Sequence, residues 1–158
     1  MAQVELFFHK RRSFVGDIGA VHYERLSVLI RVGGVRCLEC IVDTGAYLTV
    51  FPQDAWNRFR EQIHWCSVAD ESRLPLWCKQ FISAATGGPC PCRLGRLAIE
   101  VIDSQRPRRV IGPTDIFALF AADQGKLSTP LFGLGGNALA GRRLLVADDL
   151  HRAVLRET

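Results

Sequence analysis

The sequence LIRVGGVRCLECIVDTGAYLTVF, residues 29–51, carries the most informative pattern in this chain. Alternating aliphatic and β-branched side chains predict one strand over residues 26–32 and a returning strand over residues 35–42. Between them, Gly33-Gly34 favours the tight turn of a β-hairpin. The second strand runs directly into Asp43-Thr44-Gly45, a triplet of turn-forming residue types. The stretch therefore predicts an antiparallel hairpin that ends in a tight loop bearing a carboxylate.

Most of the remaining pattern is that of short strands. Strand-like runs occur at residues 48–51, 76–85, 93–102, 116–121, 143–147 and 153–156. The second and third of these runs are predicted to pair as a long hairpin, and the last two as a C-terminal hairpin. Such a chain is expected to form a mainly β domain of the sandwich or barrel type.

Helix is predicted at only two places. Proline suits the first turn of a helix, so Pro52 is expected to open one that continues to residue 63. Trp56, Phe59 and Ile63 would then share one apolar face. One helical turn is predicted at residues 137–140, whereas residues 64–76 lack a regular pattern and are predicted to form a loop.

The composition fits one compact domain. The chain has 158 residues, of which 48% are hydrophobic, which is enough for one core and too few for two ordinary domains. No segment approaches the roughly 20 apolar residues that span a bilayer, and no apolar signal-peptide core opens the chain. We therefore expect a cytoplasmic protein with no membrane partner.

The net charge of +4 is a mild positive excess. Its densest basic run is His9-Lys10-Arg11-Arg12, which we interpret as a solvated arm rather than a phosphate-binding patch. No nucleic-acid partner is expected, because a nucleic-acid-binding β-barrel would rest on this mild charge alone.

The six cysteines are expected to be reduced thiols, since no export signal is apparent. Cys37 and Cys40 fall in a predicted strand, where an odd separation points their side chains to opposite faces. Cys90-Pro91-Cys92 lacks the paired spacing of a zinc site. We therefore expect no metal site.

Asp43 is the residue with the clearest chemical potential. A carboxylate at the end of an apolar strand costs desolvation energy, and such a position suits acid–base chemistry. Glycine at position 45 lets the backbone turn tightly and approach a ligand, and the Thr44 hydroxyl can satisfy nearby backbone groups. An ordinary turn between two strands is the alternative, and the apolar segments on both sides make it less favoured.

With its flanking strands, this loop resembles the active-site segment of the retropepsin-like aspartic proteases, in the form of a bacterial single-domain member. Residues 84–88, Ala-Ala-Thr-Gly-Gly, resemble the family's glycine-rich flap. Leu131-Phe132-Gly133 followed by Asn137-Ala138-Leu139 resembles its second motif. The three motifs occur in family order over residues 26–158, whereas residues 1–25 match nothing and are treated as an unassigned N-terminal arm.

The resemblance implies a single-domain retropepsin-like acid protease barrel, mainly β, with a flap hairpin and one or two short helices. It implies an aspartic endopeptidase in which Asp43, Thr44 and Gly45 form the catalytic motif and no cofactor is needed. The substrate-binding and flap residues would be Ala46, Ala85, Thr86, Gly87 and Gly88. Gly133 would pack beneath the catalytic loop.

The resemblance also implies a homodimer that takes a peptide or protein substrate. The chain holds a single Asp-Thr-Gly, so two copies are needed to supply the two carboxylates of an Asp43/Asp43 dyad. Pro89 and Pro91 follow the flap glycines and depart from the family pattern, because they remove backbone donors. They keep open an alternative, a catalytically weak or inactive dimerisation or peptide-binding module of the same fold.

Overall fold

The computed structural model describes residues 2–34, 36–74, 90–122, 127–147 and 152–158. Within these ranges the chain is mainly β, with two short α-helices, which confirms the predicted fold class. The predicted strand at residues 76–85 and the flap residues Ala85, Thr86, Gly87 and Gly88 lie outside the described residues, as does Cys78.

Eight strands form one large sheet. They are β2 (Phe7–Val15), β3 (Gly19–Val32), β4 (Arg36–Asp43), β5 (Thr49–Phe51), β6 (His64–Trp65), β7 (Cys92–Ile102), β8 (Val110–Ala121) and β9 (Leu131–Gly133). Their order across the sheet is β2-β3-β4-β9-β5-β8-β7-β6. β3 also pairs with β7. The six strands β3, β4, β9, β5, β8 and β7 therefore close into a barrel.

A smaller sheet joins the two ends of the chain. Its strands are β1 (Gln3–Glu5), β10 (Arg142–Val146) and β11 (Ala153–Glu157), with β11 in the centre. The antiparallel pairing of β10 with β11 confirms the predicted C-terminal hairpin. β1 brings Val4 into the core, although residues 1–25 were expected to form an arm. A domain boundary at residue 26 stays a prediction.

The helices differ from the prediction in length and place. α1 spans Gln53–Phe59 and ends four residues before the predicted limit, while Ile63 still reaches the core. The prediction of a loop after residue 63 was wrong, because β6 and a second helix, α2 (Val68–Ser72), lie there. Ser67 starts α2 with a capping box, in which its hydroxyl accepts from the Asp70 N–H and the Asp70 carboxylate accepts from the Ser67 N–H.

The helical turn predicted at residues 137–140 is replaced by a run of turns. Gly136 and Asn137 have φ values of 60° and 72°, in the left-handed region that a right-handed helix cannot contain. The prediction was wrong here because it did not recognise the left-handed pair at Gly136 and Asn137.

Aromatic side chains fill the centre of the barrel. Phe51 stacks on Phe120 with ring centroids 5.2 Å apart, and Phe59 and Trp65 pack edge-on against the same pair. Cys40 is buried while Cys37 is exposed, so the predicted division of these two side chains between opposite faces is confirmed. No helix among the described residues is long and apolar enough to cross a membrane.

Candidate active site

Asp43 lies where two predicted motifs meet. It is the last residue of β4, and β4 runs parallel to β9 with Asp43 opposite Gly133. On its other side β9 contacts β5, where Val50 lies opposite Leu131. Since β5 begins directly after the Asp-Thr-Gly loop, the strand Leu131-Phe132-Gly133 lies between the two strands that carry this loop.

Backbone hydrogen bonds fix the shape of the loop. The Gly45 N–H donates to Asp43 Oδ1 over 2.9 Å, and the Ala46 N–H donates to the Asp43 carbonyl over 3.2 Å. The Leu134 N–H then donates to the Ala46 carbonyl over 3.2 Å, which ties the loop to the end of β9. Asp43 is half-buried, whereas Thr44 and Gly45 are exposed. One oxygen of the carboxylate is therefore held by the chain itself in a loop that faces outward.

The second oxygen, Asp43 Oδ2, accepts no hydrogen bond from the part of the chain that the structure describes. A carboxylate held through one oxygen keeps its orientation while the other oxygen can accept from water or from another carboxyl group. This arrangement is suited to proton transfer at the surface of the protein.

Two glycines allow β9 and the turn after it to lie directly against the loop. A Cβ atom at Gly133 would lie 2.4 Å from the carbonyl carbon and oxygen of Leu48. A Cβ atom at Gly135 would lie 2.3 Å from the Tyr47 carbonyl oxygen. Any larger residue would collide with backbone at either place, so the support beneath the loop depends on both glycines.

An open depression of about 380 Å³ adjoins the loop. Its lining residues are Thr44, Gly45, Ala46, Tyr47, Leu134 and Gly135. Tyr47 presents an exposed aromatic side chain there, 46% exposed. A larger pocket of about 420 Å³ lies elsewhere, between α2 and β7, and none of its lining residues belongs to the Asp43 loop.

Of the predicted site residues, the structure brings together Asp43, Thr44, Gly45, Ala46 and Gly133. Sequence reasoning missed Tyr47, Leu134 and Gly135. Tyr47 and Leu134 directly follow predicted motif residues, and Gly135 comes one residue later, so closeness to a motif was the one signal available. Residue type gave none, because tyrosine, leucine and glycine are common in cores and turns.

Comparison with known proteins finds similar folds among solved structures. No family model matches the chain, and a search of curated proteins finds no match. Among solved structures, the chain is similar to a retropepsin-like aspartic protease from Rickettsia conorii, at 10% identity and a TM-score of 0.45, covering 95% of this chain and 90% of that one. It is also similar to the retroviral protease-like domain of Ddi1 from Leishmania major, at 14% identity and a TM-score of 0.44, covering 84% and 94%.

Proposed function

We propose that this chain is an aspartic endopeptidase that hydrolyses peptide bonds as a homodimer. The observation that carries the proposal is the geometry at Asp43. Its carboxylate ends a barrel strand, is oriented by the Gly45 N–H, and lies in an outward-facing loop supported by Gly133. An Asx turn that only links two strands forms the same hydrogen bond, so the proposal rests on the exposed loop, on an Oδ2 that accepts no hydrogen bond from the described chain, and on the support of Gly133.

The dimer follows from the number of carboxylates. The chain has one Asp-Thr-Gly, and the described part of the loop brings no second carboxylate to Asp43. The exposure of Thr44 and Gly45 leaves room for a second copy to approach across a two-fold axis. In this proposal the Thr44 side chains brace the two loops against each other, and each copy supplies one Asp43.

The chemistry needs only the two carboxyl groups and one water. Two carboxylates about 3 Å apart cannot both ionise, so the pair holds one proton. The ionised Asp43 takes a proton from water as the water oxygen attacks the peptide carbonyl carbon. The protonated Asp43 donates its proton to the carbonyl oxygen. When the C–N bond breaks, a proton passes to the leaving nitrogen, giving a carboxylic acid and an amine.

The substrate in this proposal is an extended peptide. The depression beside the loop would take a side chain of that peptide against Tyr47 and Leu134. Closure of a flap over the peptide by Ala85, Thr86, Gly87 and Gly88 stays a prediction. A cytoplasmic location likewise stays a prediction.

Cleavage of a peptide library tests the proposal, with wild-type protein compared with Asp43→Asn and Asp43→Ala at mildly acidic and neutral pH. Asparagine keeps an oxygen that can accept from the Gly45 N–H, so Asp43→Asn removes the acid–base group while preserving the turn. We expect both variants to lose activity by about 10²–10⁴-fold, the usual contribution of a general acid or base.

The matched control is Asp115→Asn, which removes an exposed carboxylate from β8. It should cleave at the wild-type rate. Equal activity of the wild type and both Asp43 variants would refute the assignment. A wild type that binds peptides but cleaves none would instead favour the peptide-binding module.

A further inference from the structure

The β2–β3 hairpin extends beyond the body of the protein. β3 pairs with β4 only from Ser27 onward, opposite Ile41. The eight residue pairs from Phe8–Leu26 to Val15–Gly19 therefore lie outside that pairing, with β2 and β3 as each other's strand partners. We call residues 8–26 the ribbon. At the usual rise per residue, it is about 27 Å long. Its base contacts the body, because Phe8 and Leu26 pack against the core and His9 Nε2 lies 2.6 Å from a Glu39 carboxylate oxygen, so the distal part projects.

The ribbon places apolar side chains in water. Phe14 is 73% exposed and Ile18 is 77% exposed, and both lie at the distal end, Ile18 within the turn Gly16–Ile18 and Phe14 just before it. Among the strands that the structure describes, none pairs with the ribbon beyond Leu26, and a two-stranded hairpin by itself is only marginally stable in water. Exposed apolar groups concentrated at the end of such an element indicate a surface that they contact.

Cationic groups follow directly behind the apolar tip. Going from the tip toward the body, the pairs are Phe14–Ala20, Ser13–Val21, Arg12–His22, Arg11–Tyr23, Lys10–Glu24 and His9–Arg25. Residues 10–25 hold four Lys or Arg against Asp17 and Glu24. The Arg12 guanidinium lies 4.9 Å from the centre of the Phe14 ring. The ribbon thus has two adjoining zones, an apolar tip and a cationic zone behind it.

We propose that the ribbon is a membrane-surface anchor, which inserts its apolar tip at the interface of an anionic lipid bilayer. This proposal replaces two expectations from the sequence, a solvated arm at residues 9–12 and no membrane partner. Phe14 lies two positions after Arg12, a distance of about 7 Å along a strand. Interfacial segments bury their apolar side chains by about 5–10 Å, with basic side chains at the level of the headgroups. The spacing of the ribbon matches this depth, and Tyr23 is of a type that favours the same level.

Other partners fit the ribbon less well. A nucleic acid would attract the arginines, but the tip offers no side-chain donor to base edges and would leave Phe14 and Ile18 in water. A second copy of the chain would meet the ribbon with a surface of mixed charge, 20 Lys or Arg and 16 Asp or Glu, whereas an anionic bilayer is uniformly negative. The charged Asp17 carboxylate, in the turn at the tip, favours a shallow insertion of the tip into the bilayer over a deep one. An anionic bilayer is the partner that uses both zones at once.

Vesicle sedimentation tests the proposal on the full chain. The probes are vesicles of phosphatidylcholine alone and of equal amounts of phosphatidylcholine and phosphatidylserine. We expect binding to the anionic vesicles, weak binding to the neutral ones, and release at about 0.5 M NaCl, where surface charges are screened. Phe14→Ser/Ile18→Ser should weaken binding by about ten-fold. Arg11→Gln/Arg12→Gln should weaken it by about thirty-fold.

Two control variants separate the ribbon from general surface effects. Arg106→Gln/Arg108→Gln removes two exposed arginines from the loop between β7 and β8, and Val68→Ser removes an exposed apolar side chain at the start of α2. Both should bind vesicles as the wild type does, and circular dichroism should show every variant folded.

Two results would refute the membrane-anchor proposal. One is equal binding of the wild type to both kinds of vesicle. The other is a loss of vesicle binding in the control variants as large as that in the ribbon variants. Tight binding of a nucleic-acid duplex that survives Phe14→Ser/Ile18→Ser, with no vesicle binding, would assign the ribbon to nucleic acid. A dimer lost in that variant, again without vesicle binding, would assign it to a second copy.

Discussion

Gly133 supports the Asp43 loop by packing against the backbone at Leu48. Its backbone lies so close to the carbonyl of Leu48 that no side chain fits between them. The loop is further attached to the segment after β9 by the Leu134 N–H, which donates to the Ala46 carbonyl. Displacing Gly133 should therefore move the support on which the Asp43 carboxylate is oriented.

Gly133→Ala is the corresponding test at the residue scale. The added methyl group would lie 2.4 Å from the Leu48 carbonyl group, and relieving such overpacking costs about 1–3 kcal/mol of unfolding free energy. The measurement is urea unfolding together with peptidase activity. We expect both stability and activity to fall.

The matched control is Gly34→Ala in the β3–β4 turn, where a Cβ atom would meet open space but φ is 74°. It should lose about 1 kcal/mol through backbone strain while the folded fraction keeps its activity. A Gly133→Ala variant with wild-type stability and activity would contradict the supporting role.

Individual site residues were predictable where a motif fixed them. Asp43 and Gly133 stand in short patterns with a chemical or steric reason behind each position. Tyr47 and Gly135 meet only because β9 lies between β4 and β5. Such a meeting depends on long-range pairing, which local periodicity does not encode.

Asp103 joins separate elements at the end of β7. Its buried carboxylate accepts from the Glu5 N–H over 3.0 Å, the Gln105 N–H over 2.9 Å and the Arg106 N–H over 2.7 Å. Burial raises the pKa of this carboxyl, but the three backbone donors and the charge of Arg109 outweigh it. The pKa of folded Asp103 therefore lies below its ordinary value, and the ionised form holds the β1–β2 junction to the β7–β8 loop.

This depressed pKa gives a pH dependence of defined sign. The stabilisation is fully present above the pKa of the unfolded chain, at about 3.9, and is lost as pH falls through the lower pKa of the folded state. Asp103→Asn should lower the free energy of unfolding at neutral pH by about 1–3 kcal/mol. Its stability should also fall less than that of the wild type as acid is added.

Urea unfolding at a series of pH values from neutral to strongly acidic makes this measurement. The exposed helix residue Asp54 provides the control, Asp54→Asn, which should follow the wild-type profile. Parallel profiles for Asp103→Asn and the wild type would show that the carboxylate has no such role.

Elements were predictable when their own sequence repeats with a clear period. β4, β7 and the β10–β11 hairpin alternate strongly and were predicted within about two residues, the usual uncertainty at element ends. β6 and α2 were missed because they are two and five residues long. The distal half of β3 was missed because its polar residues pair only with β2, without the buried face that produces alternation.

At the scale of the whole molecule, closure of the barrel lies beyond local pattern. The pairing of β3 with β7 joins residues about 70 positions apart, and β1 reaches β11 across nearly the full chain. These pairings depend on which apolar faces fit together. The sequence therefore predicted a barrel or sandwich without predicting the strand order or the place of residues 3–6 in the core.

The dimer is the property on which the proposed function depends. Each subunit carries a half-buried Asp43 in an outward-facing loop that supplies one carboxylate, and the proposed hydrolysis needs two. Peptidase activity should therefore require the dimer, and one Asp43 should support no cleavage without the Asp43 of the partner subunit.

Mixing wild-type protein with the Asp43→Asn variant tests this claim most directly. The two are combined at constant total subunit concentration, allowed to exchange subunits, and assayed for peptide cleavage across the full range of ratios. If the dyad takes one Asp43 from each copy, activity should follow the square of the wild-type fraction, leaving about a quarter of the activity in an equal mixture. Activity proportional to the wild-type fraction, with about half remaining, would show that each subunit acts alone and would contradict the shared site.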